Sequence, residues 1–348
     1  MNERVNLACV GAGNWGRNLV RVFDGLPQVQ LKTICDARDD VRAAMARLYP
    51  QSGVTGDYTG VLGDPEVEAV VLAVPAVDHY ETARLALEAG KHVYVEKPIA
   101  LSYAHARELT ELAEARGRVL MVGHLMEYHP ALRLLKGLAD SGELGEIYYL
   151  YSERVNLGVV RKDENALWSL APHDISMILM LVGAEPVSVS ARGACYLQQG
   201  IEDVVFANLR FADGKMAQVQ VSWLDPHKVR KLTVVGTKKM AVFDDVESAE
   251  KVRIYDKAAE REGGGGPRYE SYGESITLRF GDVVIPHISA AEPLKLECQH
   301  FVDCVRTGGT PVSDGRDGMR VVRVLEAAQR SLERDGVPSE LGSGPNPA

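Results

Sequence analysis

The chain has 348 residues, with 48 Asp and Glu against 39 Lys and Arg, for a formal charge of −9. That balance argues against nucleic acid or an anionic membrane as the main partner, and no apolar run approaches the length of a membrane span. The start, Met1-Asn2-Glu3-Arg4, lacks the apolar stretch of a secretory leader, and five scattered cysteines read as reduced thiols, so a cytoplasmic protein is expected.

Two domains are expected at this length, each with its own core. The first apolar run, residues 5–10, reads as a strand and leads into Gly11-Ala12-Gly13-Asn14-Trp15-Gly16. Trp15, Leu19, Val22 and Phe23 then recur at helical spacing. The glycines fit the G-x-G-x-x-G fingerprint: the first permits a tight turn, the second lets backbone approach a pyrophosphate, and the third lets helix pack on strand. The helix N-terminus adds N–H groups for the phosphate charge. The competing reading is a tight turn with no cofactor, but a second run, 29–35, ends in Asp36, 20 residues beyond Gly16. A carboxylate there accepts ribose hydroxyls and repels a 2′-phosphate, so NAD is the expected cofactor. Arg38 keeps NADP as the alternative.

Further strands are read at 69–74, 92–95 and 118–122, alternating with helices at 37–49, 77–89 and 102–116, the last with Ser102 as N-cap. This alternation predicts a doubly wound parallel sheet, a Rossmann domain over 1–123, with the cofactor at the strands' carboxyl ends. From 124 the pattern changes. A helix opens at Pro130, and strands follow at 146–156, 186–194, 203–211, 215–224, 230–236, 239–244, 251–255 and 275–285, interrupted by a helix at 172–182. Alternation such as Gln218-Val219-Gln220-Val221-Ser222-Trp223 suits an antiparallel sheet with one face less buried. The reading is an α+β domain over 124–335. It includes helices 294–306 (stripe Leu294, Cys298, Phe301, Val305) and 317–334 (Val321, Leu325, Ala328, Leu332). Gly263 to Gly266 with Pro267 reads as a mobile loop, and 336–348 as a disordered tail.

Two segments carry candidate chemistry. Glu96-Lys97-Pro98 directly follows the strand 92–95, at the sheet's carboxyl edge. A lysine there can bond a substrate hydroxyl and take part in its proton transfer, its pKa lowered by partial burial and a positive nicotinamide; the competing reading is a solvated loop lysine. In Leu167–Ile175, Pro172 fits the first turn of a helix and places His173 just inside it. The helix dipole disfavours imidazolium there, so a neutral, proton-accepting His173 is expected, against a histidine that merely caps or packs. His124 and His129 are five apart, and His300 with Cys304 lacks a third ligand, so no metal site is expected.

The motifs resemble the Gfo/Idh/MocA oxidoreductases (glucose–fructose oxidoreductase, inositol dehydrogenase and relatives) from about residue 5 to 335. The landmarks are the glycine turn, Val74-Pro75 with His79, the run Ala89-Gly90-Lys91-His92-Val93-Tyr94-Val95-Glu96-Lys97-Pro98, Gly123-His124, and Pro172-His173-Asp174. The resemblance implies Lys97 and His173 as catalytic pair. It implies Asn14, Trp15, Pro75, His79, Glu96 and Trp168 beside the cofactor, and His124, Arg154, Asn156, Ser169 and Asp174 as substrate candidates. It also implies an open-faced sheet serving substrate binding and oligomer contacts, in a homodimer or homotetramer.

Asn156-Leu157-Gly158, residues 166–176, Ser222-Trp223-Leu224-Asp225-Pro226 and residues 292–301 look like bacterial nucleotide-sugar 3-dehydrogenases. The implied reaction is oxidation of the 3-hydroxyl of a UDP-linked N-acetylated hexose or hexuronate. Arg154, Arg161, Lys162, His227, Lys228 and Arg230 are cations for its diphosphate. One position departs: Ser169 stands four residues before His173, where much of the wider family has aspartate. The alternatives are a ketoreductase or dehydrogenase acting on a keto-sugar, free sugar or cyclitol, and a nicotinamide-sensing regulator without catalysis. The presence of both Lys97 and His173 speaks against the regulator.

Overall fold

The computed structural model describes residues 4–261 and 276–342. The chain opens with β1 (Val5–Val10), α1 (Gly16–Asp24), β2 (Val29–Cys35), α2 (Asp39–Leu48), β3 (Gly53–Thr55), α3 (Tyr58–Gly63), β4 (Ala69–Leu72), α4 (Ala76–Glu88), β5 (His92–Val95), α5 (Tyr103–Arg116) and β6 (Leu120–Val122). The strands form one parallel sheet in the order β3-β2-β1-β4-β5-β6. The order reverses between β1 and β4, so the glycine turn after β1 sits at the topological switch point. Every residue of β4 is buried, as a sheet clothed on both faces requires. Ser102 caps α5, accepting from the His105 N–H at 3.2 Å, as expected. The pair β3 and α3 was not anticipated, being too short to show a period.

There follow α6 (Pro130–Asp140), β7 (Ile147–Val155), α7 (Ala166–Val182), β8 (Pro186–Ala194), β9 (Val204–Phe211), β10 (Met216–Ser222), β11 (Val229–Gly236), β12 (Met240–Asp244), β13 (Val252–Arg261) and β14 (Ile276–Val284). After them come α8 (Pro293–Thr307), α9 (Gly315–Leu332) and β15 (Ser339–Glu340). The second sheet has the order β14-β13-β12-β11-β7-β10-β9-β8-β15, antiparallel except where β7 runs parallel to β10. Val205, Ala207, Leu209 and Phe211 of β9 are buried, and α7 packs against β7, β9 and β10. The alternate residues leave Tyr149, Tyr151, Phe206 and Met216 exposed on the open face.

The expected domain boundaries need correction. One compact unit closes at His129 and takes back Ala291–Glu326; the other comprises Pro130–Ala290 and resumes at Ala327. Helix α8 therefore belongs with the parallel sheet. Its predicted stripe is right, but its partners lie far away in sequence: Phe301 meets Phe23 and Tyr94 edge-on, with centroids 6.2 and 5.8 Å apart. Leu294 and Cys298 join the same core. The tail expected to be disordered from 336 carries β15, where Ser339 pairs with Val189, and Leu341 beyond it is buried. The segment Gly263 to Pro267 and the last six residues lie outside the described residues.

Candidate active site

In the first unit the glycine turn has the geometry a dinucleotide needs. Gly11 has φ +85°, and a Cβ there would stand 2.6 Å from the Ala73 carbonyl oxygen. A Cβ on Gly16 would run into the Gly11 carbonyl oxygen, whereas Gly13 faces open space. Gly13 is thus the glycine that the protein's own packing does not demand, which suits close approach by a ligand. Asp36, at the end of β2, accepts the Ala12 N–H at 2.7 Å and the Arg38 N–H at 2.9 Å, fixing its carboxylate beside the turn. Arg38 points its guanidinium at Asp40, with Nε 3.0 Å from the carboxylate.

Val74-Pro75, Glu96-Lys97 and Gly123-His124 follow β4, β5 and β6, so all three lie at the sheet's carboxyl end. Lys97 is half-buried, and its peptide bond to Pro98 is cis. Glu96 is buried and accepts the Trp15 indole N–H and, at 3.2 Å, the Lys97 backbone N–H. Burial pushes its carboxyl above the usual range, against the Trp15 and Lys97 contacts. His79, expected beside the cofactor, is 2% exposed, with Nδ1 2.6 Å from the Pro98 oxygen and Nε2 3.0 Å from the Val74 oxygen. Each ring nitrogen lies against a backbone carbonyl oxygen, one in each of two loops, and a neutral imidazole donates to one of them.

His124 also departs from expectation. It is wholly buried, with Nδ1 2.7 Å from Asp317 and 3.6 Å from Glu127; Arg320 binds the other Asp317 oxygen at 2.7 Å. These three side chains are close enough to suggest a metal centre. The 2.7 Å contact, however, is a direct hydrogen bond, and the guanidinium supplies positive charge, so the group reads as an ion network. Burial works against a charged His124, but Asp317 and Glu127 outweigh it and raise its pKa to about 10. Burial and the nearby Asp317 push Glu127 up to about 8. Sequence reasoning missed this network, because Asp317 lies 193 residues from His124.

In the second unit α7 starts at Ala166, not at Pro172. Asn165 is the cap: its side chain accepts the Trp168 N–H at 3.2 Å while its amide donates to Glu202 and Gln329 at 2.6 and 3.0 Å. His173 therefore sits in mid-helix, and the expected neutrality from a helix N-terminus loses its basis, since that field fades within the first turn. Ser169 and His173, four apart, share one side of the helix, both half-buried. Asp174 turns elsewhere: its carboxylate accepts from Arg154 Nε at 2.6 Å, with the two residues 1% and 5% exposed. Burial pushes the Asp174 carboxyl up, against the Arg154 charge. Arg154 and Asp174, expected at the substrate, instead hold α7 to β7.

The parallel pairing of β7 and β10 brings the segments that follow them to one edge. The Asn156 N–H bonds the Ser222 oxygen and the Gly158 N–H bonds the Trp223 oxygen, both at 3.2 Å. The Trp223 N–H reaches the Asp203 oxygen at 3.0 Å, and the Ala166 N–H at the start of α7 reaches Glu202 at 2.9 Å. Asn156, Trp168 and Ser169 thus belong to one rim, with Arg161, Lys162, His227 and Lys228 exposed along its loops.

Comparison with known proteins agrees with these features. Residues 5–124 match the model of the oxidoreductase family with an NAD-binding Rossmann fold, and residues 132–242 match the GFO/IDH/MocA C-terminal domain. The crystal structure of an oxidoreductase from Magnetospirillum magnetotacticum MS-1 is 31% identical, covering 93% of this chain and 99% of its own, with a TM-score of 0.79. The scyllo-inositol 2-dehydrogenase (NAD(+)) of Bacillus subtilis is 27% identical over 98% of this chain and 97% of its own. The UDP-N-acetylglucosamine 3-dehydrogenase of Acidithiobacillus ferrooxidans is 30% identical over 56% of this chain and 60% of its own. Its structure covers 98% of this chain and 99% of its own at 23% identity, with a TM-score of 0.79. The chain belongs to the GFO/IDH/MocA oxidoreductase family and is an NAD-binding oxidoreductase.

Two outcomes follow. The fixed Asp36 carboxylate should make NADH bind at least about tenfold tighter than NADPH, ~1.4 kcal/mol, in fluorescence titrations; equal affinity would show that Arg38 leaves Asp40 for the 2′-phosphate. The His124 network should make stability fall with rising pH. The folded pKa of about 10 exceeds the ordinary 6.5, so its contribution is complete below about 6.5 and lost towards 10. The raised Glu127 acts in the same direction. Melting temperatures recorded across that window should decline, and His124→Asn should flatten the decline; an unchanged slope would remove His124 from the linkage.

Proposed function

We propose that the protein oxidises a ring secondary hydroxyl, the 3-hydroxyl, of a UDP-linked N-acetylated hexose or hexuronate, with Lys97 and His173 as the proton-transfer pair. The observation that carries the dehydrogenase reading is the placement of Glu96-Lys97-Pro98 at the carboxyl edge of the same sheet whose β1 and β2 hold the glycine turn and Asp36. NAD, when bound, supplies the hydride acceptor. Asp36 and the turn hold the dinucleotide, and the Lys97 and His173 side chains exchange the hydroxyl proton. The nucleotide-sugar part of the reading is supported by the relative named for UDP-N-acetylglucosamine and by the exposed Arg161, Lys162 and Lys228, with the His227 donor beside them, on the second unit's rim.

The same reading includes a homo-oligomer, dimer or tetramer, formed through the open sheet face, whose exposed Tyr149, Tyr151, Phe206 and Met216 are supporting observations. It places the protein in the cytoplasm, supported by free cysteines at 9, 35, 195, 298 and 304. Among the described residues, no helix is long and apolar enough to cross a membrane.

UDP-N-acetylglucosamine or its uronate should raise the melting temperature of the NAD-loaded protein, and UDP alone should give part of that rise. No shift at millimolar UDP or UDP-sugar, together with turnover of an inositol or a free hexose, would replace the nucleotide sugar with a cyclitol or free sugar. With the substrate found, Lys97→Met and His173→Ala should each lower turnover by about 10²–10⁴ while NADH affinity stays within a few-fold. Near-normal turnover would remove that residue from the mechanism.

A further inference from the structure

Glu96 is held from several directions at once. Its Oε1 accepts the indole N–H of Trp15, which stands at the N-cap of α1, and lies 3.5 Å from the Tyr94 hydroxyl. Its Oε2 accepts the Lys97 backbone N–H at 3.2 Å. A Cβ on Gly123 would stand 3.0 Å from that oxygen and 2.9 Å from the Tyr94 hydroxyl, so the space beside the carboxylate admits no side chain. Trp15 leaves 43% of its surface exposed while committing its one polar atom to a buried acid. An indole placed only to cover a turn would have no need of that bond.

We infer that Trp15 is a positioning residue: its indole N–H fixes Glu96, and Glu96, through the Lys97 backbone N–H, sets the catalytic lysine relative to the dinucleotide turn. The inference rests on Lys97 being the proton-transfer group proposed above. The chemistry follows from burial. A carboxylate out of water needs its donors, and removing one leaves it under-satisfied. The charged and titratable groups facing Glu96 are Tyr94 on its own strand, Lys97 beside it, His124 after β6 and Glu297 on α8. Glu297 is itself fully buried, and burial together with the Glu96 charge pushes its carboxyl well up, so that it favours the neutral form. Without the indole N–H, Glu96 takes up a proton or turns away, and Lys97 loses both its anchor and a fixed negative neighbour. An ammonium that loses such a neighbour releases its proton at lower pH.

The test compares Trp15→Phe, Glu96→Gln, the double variant and Lys97→Met, each checked for NADH binding by fluorescence. Trp15→Phe keeps an aromatic ring and removes the donor. It should lower kcat about tenfold with KM for NAD changed less than about threefold, and move the limb of the kcat–pH profile that reports Lys97 to lower pH. Glu96→Gln should move the same limb in the same direction, and adding Trp15→Phe to it should cost less than about a further twofold, because both changes break one link. If Lys97→Met retains turnover, the Lys97 reading fails, whatever Trp15 does. If Lys97→Met is inactive while Trp15→Phe and Glu96→Gln keep the wild-type kcat and pH profile, the positioning role is overturned. It is equally overturned if Trp15→Phe loses NADH affinity with an unmoved pH profile, since the indole then serves the cofactor alone. Should Trp15→Phe not fold, Glu96→Gln decides by the same profile.

Discussion

A carboxyl group cannot stay buried at the end of a parallel strand unless its surroundings replace water, and much of the first unit is arranged around that constraint at Glu96. The strand β5 delivers the side chain to the carboxyl edge of the sheet, where substrate chemistry in such folds takes place. The turn after β1 contributes an indole N–H and the chain's own next peptide contributes a second donor. Beneath it, α8 returns from far along the sequence with Phe301 and Cys298 to complete the core and Glu297 to face the acid. His124, Glu127 and Asp317 extend the same polar seam, with one imidazolium and the Arg320 guanidinium set against the acids. Several distant segments meet at this seam, where Asp317 accepts from His124 on one oxygen and from Arg320 on the other.

The second unit solves a related problem with one ion pair. Helix α7 is apolar over most of its length and lies on a sheet whose covered face is Val, Ala and Leu, a surface that would tolerate several rotations of the helix. The Arg154–Asp174 pair removes that freedom, since losing either partner strands a charge in the core. With Asp174 committed to β7, the Ser169 and His173 side of α7 is set by the helix period, and Asn165 fixes where the helix begins. A polar contact with little net worth in stability thereby specifies the orientation of the Ser169 and His173 side of the helix.

What was legible in the sequence was local. The glycine turn after β1, the place of Asp36 at the end of β2, most strands and the cap at Ser102 each depend on residues within a few positions, or on one strand–helix–strand unit, and the structure has these elements where they are read. The start of α7 was misread because Pro172 offers a helix-start signal that overshadows Asn165, a local cap that accepts the Trp168 N–H three residues on. The tail was misread because Gly and Pro suggest disorder, while Ser339 finds an unpaired edge at Val189. His79, His124, Arg154 and Asp174 enter as site residues through the family resemblance, and their contacts within the protein cannot be read from it. Their partners, two carbonyl oxygens and two distant acid groups, are supplied only by the fold.

Ser169 stands where the family resemblance leads one to expect aspartate, four residues before His173. An aspartate one turn before the histidine would add a negative charge on the same helical side and draw a proton onto the ring. A serine offers a donor and an acceptor that can orient an imidazole but contributes no charge. The adjacent Asp174 does not restore what is missing, because it turns to Arg154 and is neutralised there. The loops of this part of the second unit carry both signs: Arg161, Lys162 and Lys228 stand beside Asp163, Glu164 and Asp225, with Arg161 3.5 Å from Glu164.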